Sequence, residues 1–301
     1  MIIAQRNRFF IGSVVLLLGT VFGFFNVSHA QGKNDLIKVA GSTTLLPIMA
    51  RAAENFSFKN GRIIVNAGGS GVGIQAVGTG RIDIGLASRQ LTPQEKKRFS
   101  QSNLKVRRIG RDGVACAISS EIFHGGVRAL SRQQIRDIYL GEITNWKALG
   151  GPDRKILVID KERHRGTRHV FMRYVFGDEQ APAPAARLVT GSNNEEQAKI
   201  AQSDAAIGML SIAWLNDDVV GVGLREDGQI IQPTFENIQT GAFPISRDLN
   251  LITAGEPTGA TKEFIDYLLS PAGQRIVFAS GYIPIRPMAL DLKTALRVLD
   301  D

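Results

Sequence analysis

The chain has 301 residues, 44% of them apolar and 7% aromatic, with 36 Lys and Arg against 28 Asp and Glu and a single cysteine, Cys116. One cysteine excludes an internal disulfide. The net charge of +8 is dispersed among acids and apolar residues, which excludes the continuous basic stripe that nucleic acid would need.

Met1–Ala30 begins with Arg6 and Arg8, continues as an apolar run from Phe9 to Phe25 and closes on Ser28-His29-Ala30, a small-x-small pattern. That is the layout of a secretory signal peptide cut after Ala30. The alternative is a membrane anchor, for which Phe9–Phe25 is marginal in length. No Cys follows the apolar run, so a lipid anchor is not expected. Cleavage and export would leave 271 residues, enough for two lobes or one large domain, and removing two Arg would lower the charge to +6.

Beyond Ala30 the chain alternates β-branched strands with amphipathic helices, the pattern of an α/β fold with a largely parallel sheet. Strands are expected at Ile37–Ala40, Ile63–Asn66, Ile82–Leu86, Val114–Ser119, Lys155–Asp160, Ala206–Met209 and Leu249–Thr253. Helices are expected at Leu46–Phe56, Gly73–Val77, Thr92–Ser100, Ser131–Tyr139, Arg168–Phe176, Asn193–Gln202, Thr261–Leu269 and Pro271–Ser280. Cys116, inside VACAIS, reads as a buried structural thiol. Val114–Ser119 and Leu249–Thr253 are candidates for strands that pass between lobes. They divide the chain into residues 31–113 plus 250–301 as one lobe and 114–249 as the other, with a ligand cleft between.

Three turns offer unpartnered amides and hydroxyls where a helix begins, the chemistry of an anion cradle. Ser42-Thr43-Thr44 follows the first strand; plain helix capping is the competing reading. Gly68-Gly69-Ser70-Gly71-Val72-Gly73 follows the second, with an ordinary tight turn as its alternative; it lacks the Lys of a Walker loop. Gly166-Thr167 ends a basic run from Lys161 to Arg168 whose cations cannot all converge on one ligand. Ser88 and Arg89 lie just past the strand Ile82–Leu86, Arg89 being either a ligand contact or a solvated cation. No HExxH, GxSxG or Cys/His metal spacing occurs, so the residues point to no enzyme, cofactor or metal.

In order along the chain stand Gly41-Ser42-Thr43-Thr44, Gly69-Ser70-Gly71-x-Gly73-Ile74, Asp83-Ile84-Gly85, the run LGEITNW (Leu140–Trp146), Ala206-Ile207-Gly208, Pro244-Ile245-Ser246-Arg247 and Tyr267-Leu268-Leu269-Ser270-Pro271-x-Gly273-Gln274. Together they resemble the periplasmic phosphate-binding proteins of ABC importers, over nearly the whole length after Ala30. The resemblance implies a type II periplasmic binding protein: two α/β lobes joined by hinge strands around a ligand cleft. Such a protein captures inorganic phosphate and delivers it, as a monomer, to an ABC permease in the inner membrane. It implies ligand contacts from Ser42, Thr43, Thr44, Ser70, Gly71 and Ser88, and makes LGEITNW scaffold. The family's second-lobe motif reads Arg-x-x-Gly-Ser-Gly-Thr; here Lys161 stands at the Arg position, His164 at the first Gly and Arg165 at the Ser, with Gly166-Thr167 kept. Arg89 stands where some members carry an Asp that accepts the phosphate proton, and Asp160 and Glu162 are the substitutes at hand. The competing function is a binder or sensor of another oxyanion or a phosphoester, with Arg165 meeting the extra negative charge and no role in transport.

Overall fold

The structure, a computed structural model, describes residues 36–57 and 61–286. The signal peptide expected at Met1–Ala30 lies outside them. In chain order the elements are β1 (Leu36–Gly41), α1 (Leu46–Asn55), β2 (Arg62–Ala67), α2 (Ser70–Gly78), β3 (Ile84–Ala87), α3 (Pro93–Arg98), β4 (Leu104–Ser119), α4 (Ser120–His124), β5 (Ala129–Ser131), α5 (Arg132–Leu140), β6 (Leu157–Lys161), α6 (Gly166–Phe176), β7 (Leu188–Thr190), α7 (Asn193–Ala201), β8 (Ala206–Ser211), β9 (Val219–Gly221), β10 (Gly223–Glu226), β11 (Gln229–Ile231), α8 (Phe235–Thr240), β12 (Ser246–Ala254), α9 (Gly259–Leu269), α10 (Pro271–Ala279) and β13 (Ile283–Pro284).

The helix ends follow local chemistry. Thr92 and Glu95 form a reciprocal capping box on α3, and Ser131 and Gln134 do the same on α5. Left-handed glycines, Gly141 and Gly177, stop α5 and α6, where a side chain would be strained.

The main sheet runs β2-β1-β3-β12-β4-β8-β6-β7. Its flanks are parallel: β1 with β2 and β3, and β6 with β7 and β8. Its centre is antiparallel, against the expectation of a largely parallel sheet. The cause is β4, a 16-residue strand. Its Leu104–Gly113 half pairs with β12 and its Val114–Ile118 half with β8. A chain that crosses and then returns beside itself must run antiparallel there. The first half of β4 carries Lys105, Arg107 and Arg108 outward, which broke the apolar run that marks a strand.

Two large apolar clusters lie on either side of that crossing. One gathers Ile37, Leu45, Ile48, Leu86, Leu251, Phe264 and Leu268; the other gathers Cys116, Ile118, Tyr139, Trp146, Phe171, Met209 and Leu224. Trp146, from LGEITNW, is fully buried and its indole N–H donates to the Ala205 carbonyl at 2.9 Å. The Cys116 thiol is buried in the same core, and burial pushes its pKa up, as suits a structural residue.

Candidate functional site

Where β1, α2, β3, α6 and β12 meet, hydroxyls converge. Ser42 leads a short helical turn yet makes no capping bond; its Oγ donates instead to Ser88 Oγ at 2.8 Å. Ser70 Oγ accepts from the Ser88 amide at 3.1 Å and lies 3.4 Å from Ser88 Oγ. All three serines are buried. Gly166, the first residue of α6, faces them directly: a Cβ there would sit 2.6 Å from Ser88 Oγ and closer still to Ser70 Oγ. The amides of Gly166 and Thr167 belong to a first helical turn and have no helical acceptor, so an α6 N-terminus points at a cluster of serine hydroxyls.

Thr43 and Thr44 reach the other half of the molecule. Thr43 Oγ1 accepts from the Asn193 amide at 3.4 Å, and Thr44 Oγ1 from Asn193 Nδ2 at 3.1 Å. Arg247, at the start of β12, ties the two sides together. It donates to Thr44 Oγ1 at 3.1 Å and Thr167 Oγ1 at 2.9 Å, and through Nε and Nη2 to Asp112 Oδ2 at 2.9 and 2.7 Å. Asp112 also accepts from Ser211 Oγ at 2.9 Å. Burial pushes the Asp112 carboxyl above the usual carboxylate range, and Arg247 and Ser211 pull against it.

The cations expected at the ligand have other partners. Arg89 makes a bidentate pair with Glu95, both bonds at 2.7 Å, and its buried Nε has no partner. Lys161 is buried against Glu196 and donates to the Ser192 carbonyl at 3.2 Å. Burial lowers the Lys161 pKa and raises that of Glu196, each opposed by the other's charge. Arg165 donates through Nε to Glu162 at 2.7 Å and lies across Gly69, where a Cβ would come 2.7 Å from Arg165 Cδ. Gly69 has φ +86° as well, so only glycine suits that turn. The Gly71 amide donates to the His164 carbonyl at 3.1 Å, and the His164 ring lies 3.1 Å from the Gly68 carbonyl. Two of the three positions that depart from the family motif, His164 and Arg165, thus pack onto the glycine turn. Of the substitute acceptors, Asp160 holds Arg168 and Glu162 holds Arg165. Ser42, Ser70, Ser88, Gly166 and Thr167 are brought together with Thr43 and Thr44 beside them; Arg89, Lys161 and Arg165 border the cluster in ion pairs.

Sequence reasoning missed Arg247, Asp112 and Asn193 as site residues. Arg247 and Asp112 are 135 residues apart, and each stands beside other charges, Asp248 and Arg111, so nothing local singled either out.

His169, one turn along α6, carries a pH dependence. Burial, reinforced by Arg89, holds its pKa down to about 4, with Glu179 pulling the other way. Its Nε2 lies 2.9 Å from the Arg163 carbonyl, which needs an N–H, so the buried Nδ1 is left bare. The unfolded imidazole titrates near 6.5. Stability from this group is therefore complete above about pH 6.5 and is lost as pH falls towards 4, roughly 3 kcal/mol in all. Urea melts across that range should show a shallower pH slope in His169→Asn; an unchanged slope would remove His169 as the cause.

Four likenesses bear on this arrangement. The family model for the PBP superfamily domain matches residues 26–272. The phosphate-binding protein PstS of Bacillus subtilis is 35% identical over 269 residues, covering 87% of this chain and 86% of that protein. A Clostridium perfringens protein assigned as a phosphate ABC transporter substrate-binding protein, solved with bound phosphate, superposes with a TM-score of 0.75 at 32% identity, over 84% of this chain and 100% of that one. An ABC-type phosphate transport receptor from Vibrio cholerae gives a TM-score of 0.66 at 31% identity, over 83% and 100%.

Proposed function

The chain belongs to the PBP superfamily, in the branch of the phosphate-binding protein PstS, and on that premise we propose that it captures inorganic phosphate in the cleft between its two lobes. The reading is of a binding protein and not an enzyme. The observation that carries it is the α6 N-terminus facing the buried Ser42, Ser70 and Ser88 hydroxyls. Small, dense donors of this kind suit a compact oxyanion, because each charge-assisted hydrogen bond in a dry site contributes about 1.5–3 kcal/mol.

In this proposal residues 31–113 plus 250–301 form one lobe and 114–249 the other, in line with the two apolar clusters on either side of the β4 crossing. Ser42, Thr43, Thr44, Ser70 and Ser88 act from the first lobe, Gly166 and Thr167 from the second, and Arg247 joins them from β12. Gly71, Arg89, Lys161 and Arg165 shape and support the cleft: the first gives its amide to His164 and the others hold Glu95, Glu196 and Glu162. Export after cleavage at Ala30 would place the protein in the periplasm, where it would hand phosphate, as a monomer, to an ABC permease.

The test is calorimetric titration of protein freed of ligand by unfolding and refolding, with sulfate alongside. Phosphate heat without sulfate heat is expected, and a folded protein silent to phosphate would overturn the reading. Ser70→Ala and Thr167→Ala should each weaken binding by about 1–2 kcal/mol, roughly 5- to 30-fold. Wild-type affinity in both would sink the site assignment.

A further inference from the structure

Next to the hydroxyl cluster lies a cavity of about 440 Å³ lined by four arginines, Arg89, Arg111, Arg173 and Arg247, with Asp248 as its one acid. Two of these residues also belong to the site: Arg247 bonds Thr44 and Thr167, and Arg89 follows Ser88. The cavity therefore adjoins the place where phosphate is proposed to bind.

The four charges are not equivalent. Arg89, Arg173 and Arg247 are each paired, with Glu95, Glu179 and Asp112. None of those three acids lines the cavity, so the cationic end of each pair is the one presented to it. Asp248 has Arg108 at 3.4 Å. Arg111, half-buried on β4, has a side chain with no hydrogen bond or ion pair among the described residues. Its guanidinium is therefore open to an anion in the cavity, which it could meet by charge-assisted hydrogen bonds.

We propose that this cavity is the entrance to the cleft, and that Arg111 is its capture site, binding the incoming oxyanion transiently before it passes Arg247 into the hydroxyl cluster. The inference rests on the phosphate reading above and adds the route and a residue that sets the rate. A cleft lined by one sign of charge focuses field lines and raises the local concentration of the opposite ion, so the effect falls on association and fades with salt.

The experiment is stopped-flow measurement of phosphate association and dissociation, by tryptophan fluorescence, at about 10 mM and about 0.5 M ionic strength, where the screening length falls from roughly 30 Å to a few Å. At low salt Arg111→Gln should lower the association rate at least about threefold and Arg111→Glu further, while Arg111→Lys stays near the unaltered protein because a field needs charge and not a guanidinium fork. Dissociation rates should hold, and the differences should close at high salt. Arg173→Gln, on an exposed helix face, gives the same readout should the β4 variants fail to fold. Association by Arg111→Glu and Arg173→Gln as fast as the unaltered protein's at low salt would overturn the entrance. An unaltered protein that takes up no phosphate at equilibrium would overturn the function and the entrance together, and the titration tells that failure from the kinetic one.

Discussion

Replacing Arg247 with alanine is expected to cost about 3–5 kcal/mol of folding stability and to abolish measurable phosphate binding. The stability loss comes mainly from Asp112. Its carboxylate is fully buried and, among the described residues, its Oδ2 has only Arg247 as a charged partner; breaking such a pair leaves an uncompensated charge in the interior. The binding loss has a separate origin, because Arg247 is the only side chain that bonds both Thr44 and Thr167 among the described residues. Urea unfolding and phosphate calorimetry measure the two effects. The double variant Arg247→Met with Asp112→Asn separates them: removing both charges should restore most of the stability and none of the affinity. A double variant that binds phosphate normally would take Arg247 out of the site and leave it as scaffold.

Gly166→Ala should lower phosphate affinity strongly and folding stability modestly. The Gly166 backbone is not left-handed and alanine is the better helix former by about 1 kcal/mol, which offsets only part of the crowding, so stability should fall by up to about 2 kcal/mol. Phosphate affinity should fall about 10- to 100-fold. The added methyl would sit 2.6 Å from Ser88 Oγ, and both serines it meets are fully buried, so the helix N-terminus must retreat; overpacking of this kind costs about 1–3 kcal/mol. Unchanged phosphate affinity in a stable Gly166→Ala protein would mean that the anion does not bind between α6 and the serine cluster.

Much of the architecture was legible without coordinates. The helix expected at Leu46–Phe56 is α1, one residue shorter, and those expected at Asn193–Gln202 and Pro271–Ser280 are α7 and α10. Caps and periodicity act within a few residues, which is why they can be read from a line of letters. The helix expected at Arg168–Phe176 starts two residues earlier, and that difference matters: the first turn of α6 is Gly166-Thr167, the part that faces the serines. The short strands β5, β10 and β11 were not anticipated, because three or four residues carry too little alternation to mark them.

The charged residues divide along the same line. The sequence by itself determined that hydroxyl- and glycine-rich turns stand at Ser42–Thr44, Ser70–Gly71 and Gly166–Thr167, because hydroxyls, glycines and helix starts are local features. It left open whether those hydroxyls capped their own helices, and whether Arg89, Lys161 and Arg165 were free to meet a ligand. The tertiary structure decided both. Ser42 bonds Ser88 and caps nothing, while Glu95, Glu196 and Glu162 take the three cations. It also brought Arg247 to Asp112 and Asn193 to Thr44 across 135 and 149 residues. A buried charge is stable only beside a partner, and which partner is nearest depends on how strands far apart in the chain are laid side by side.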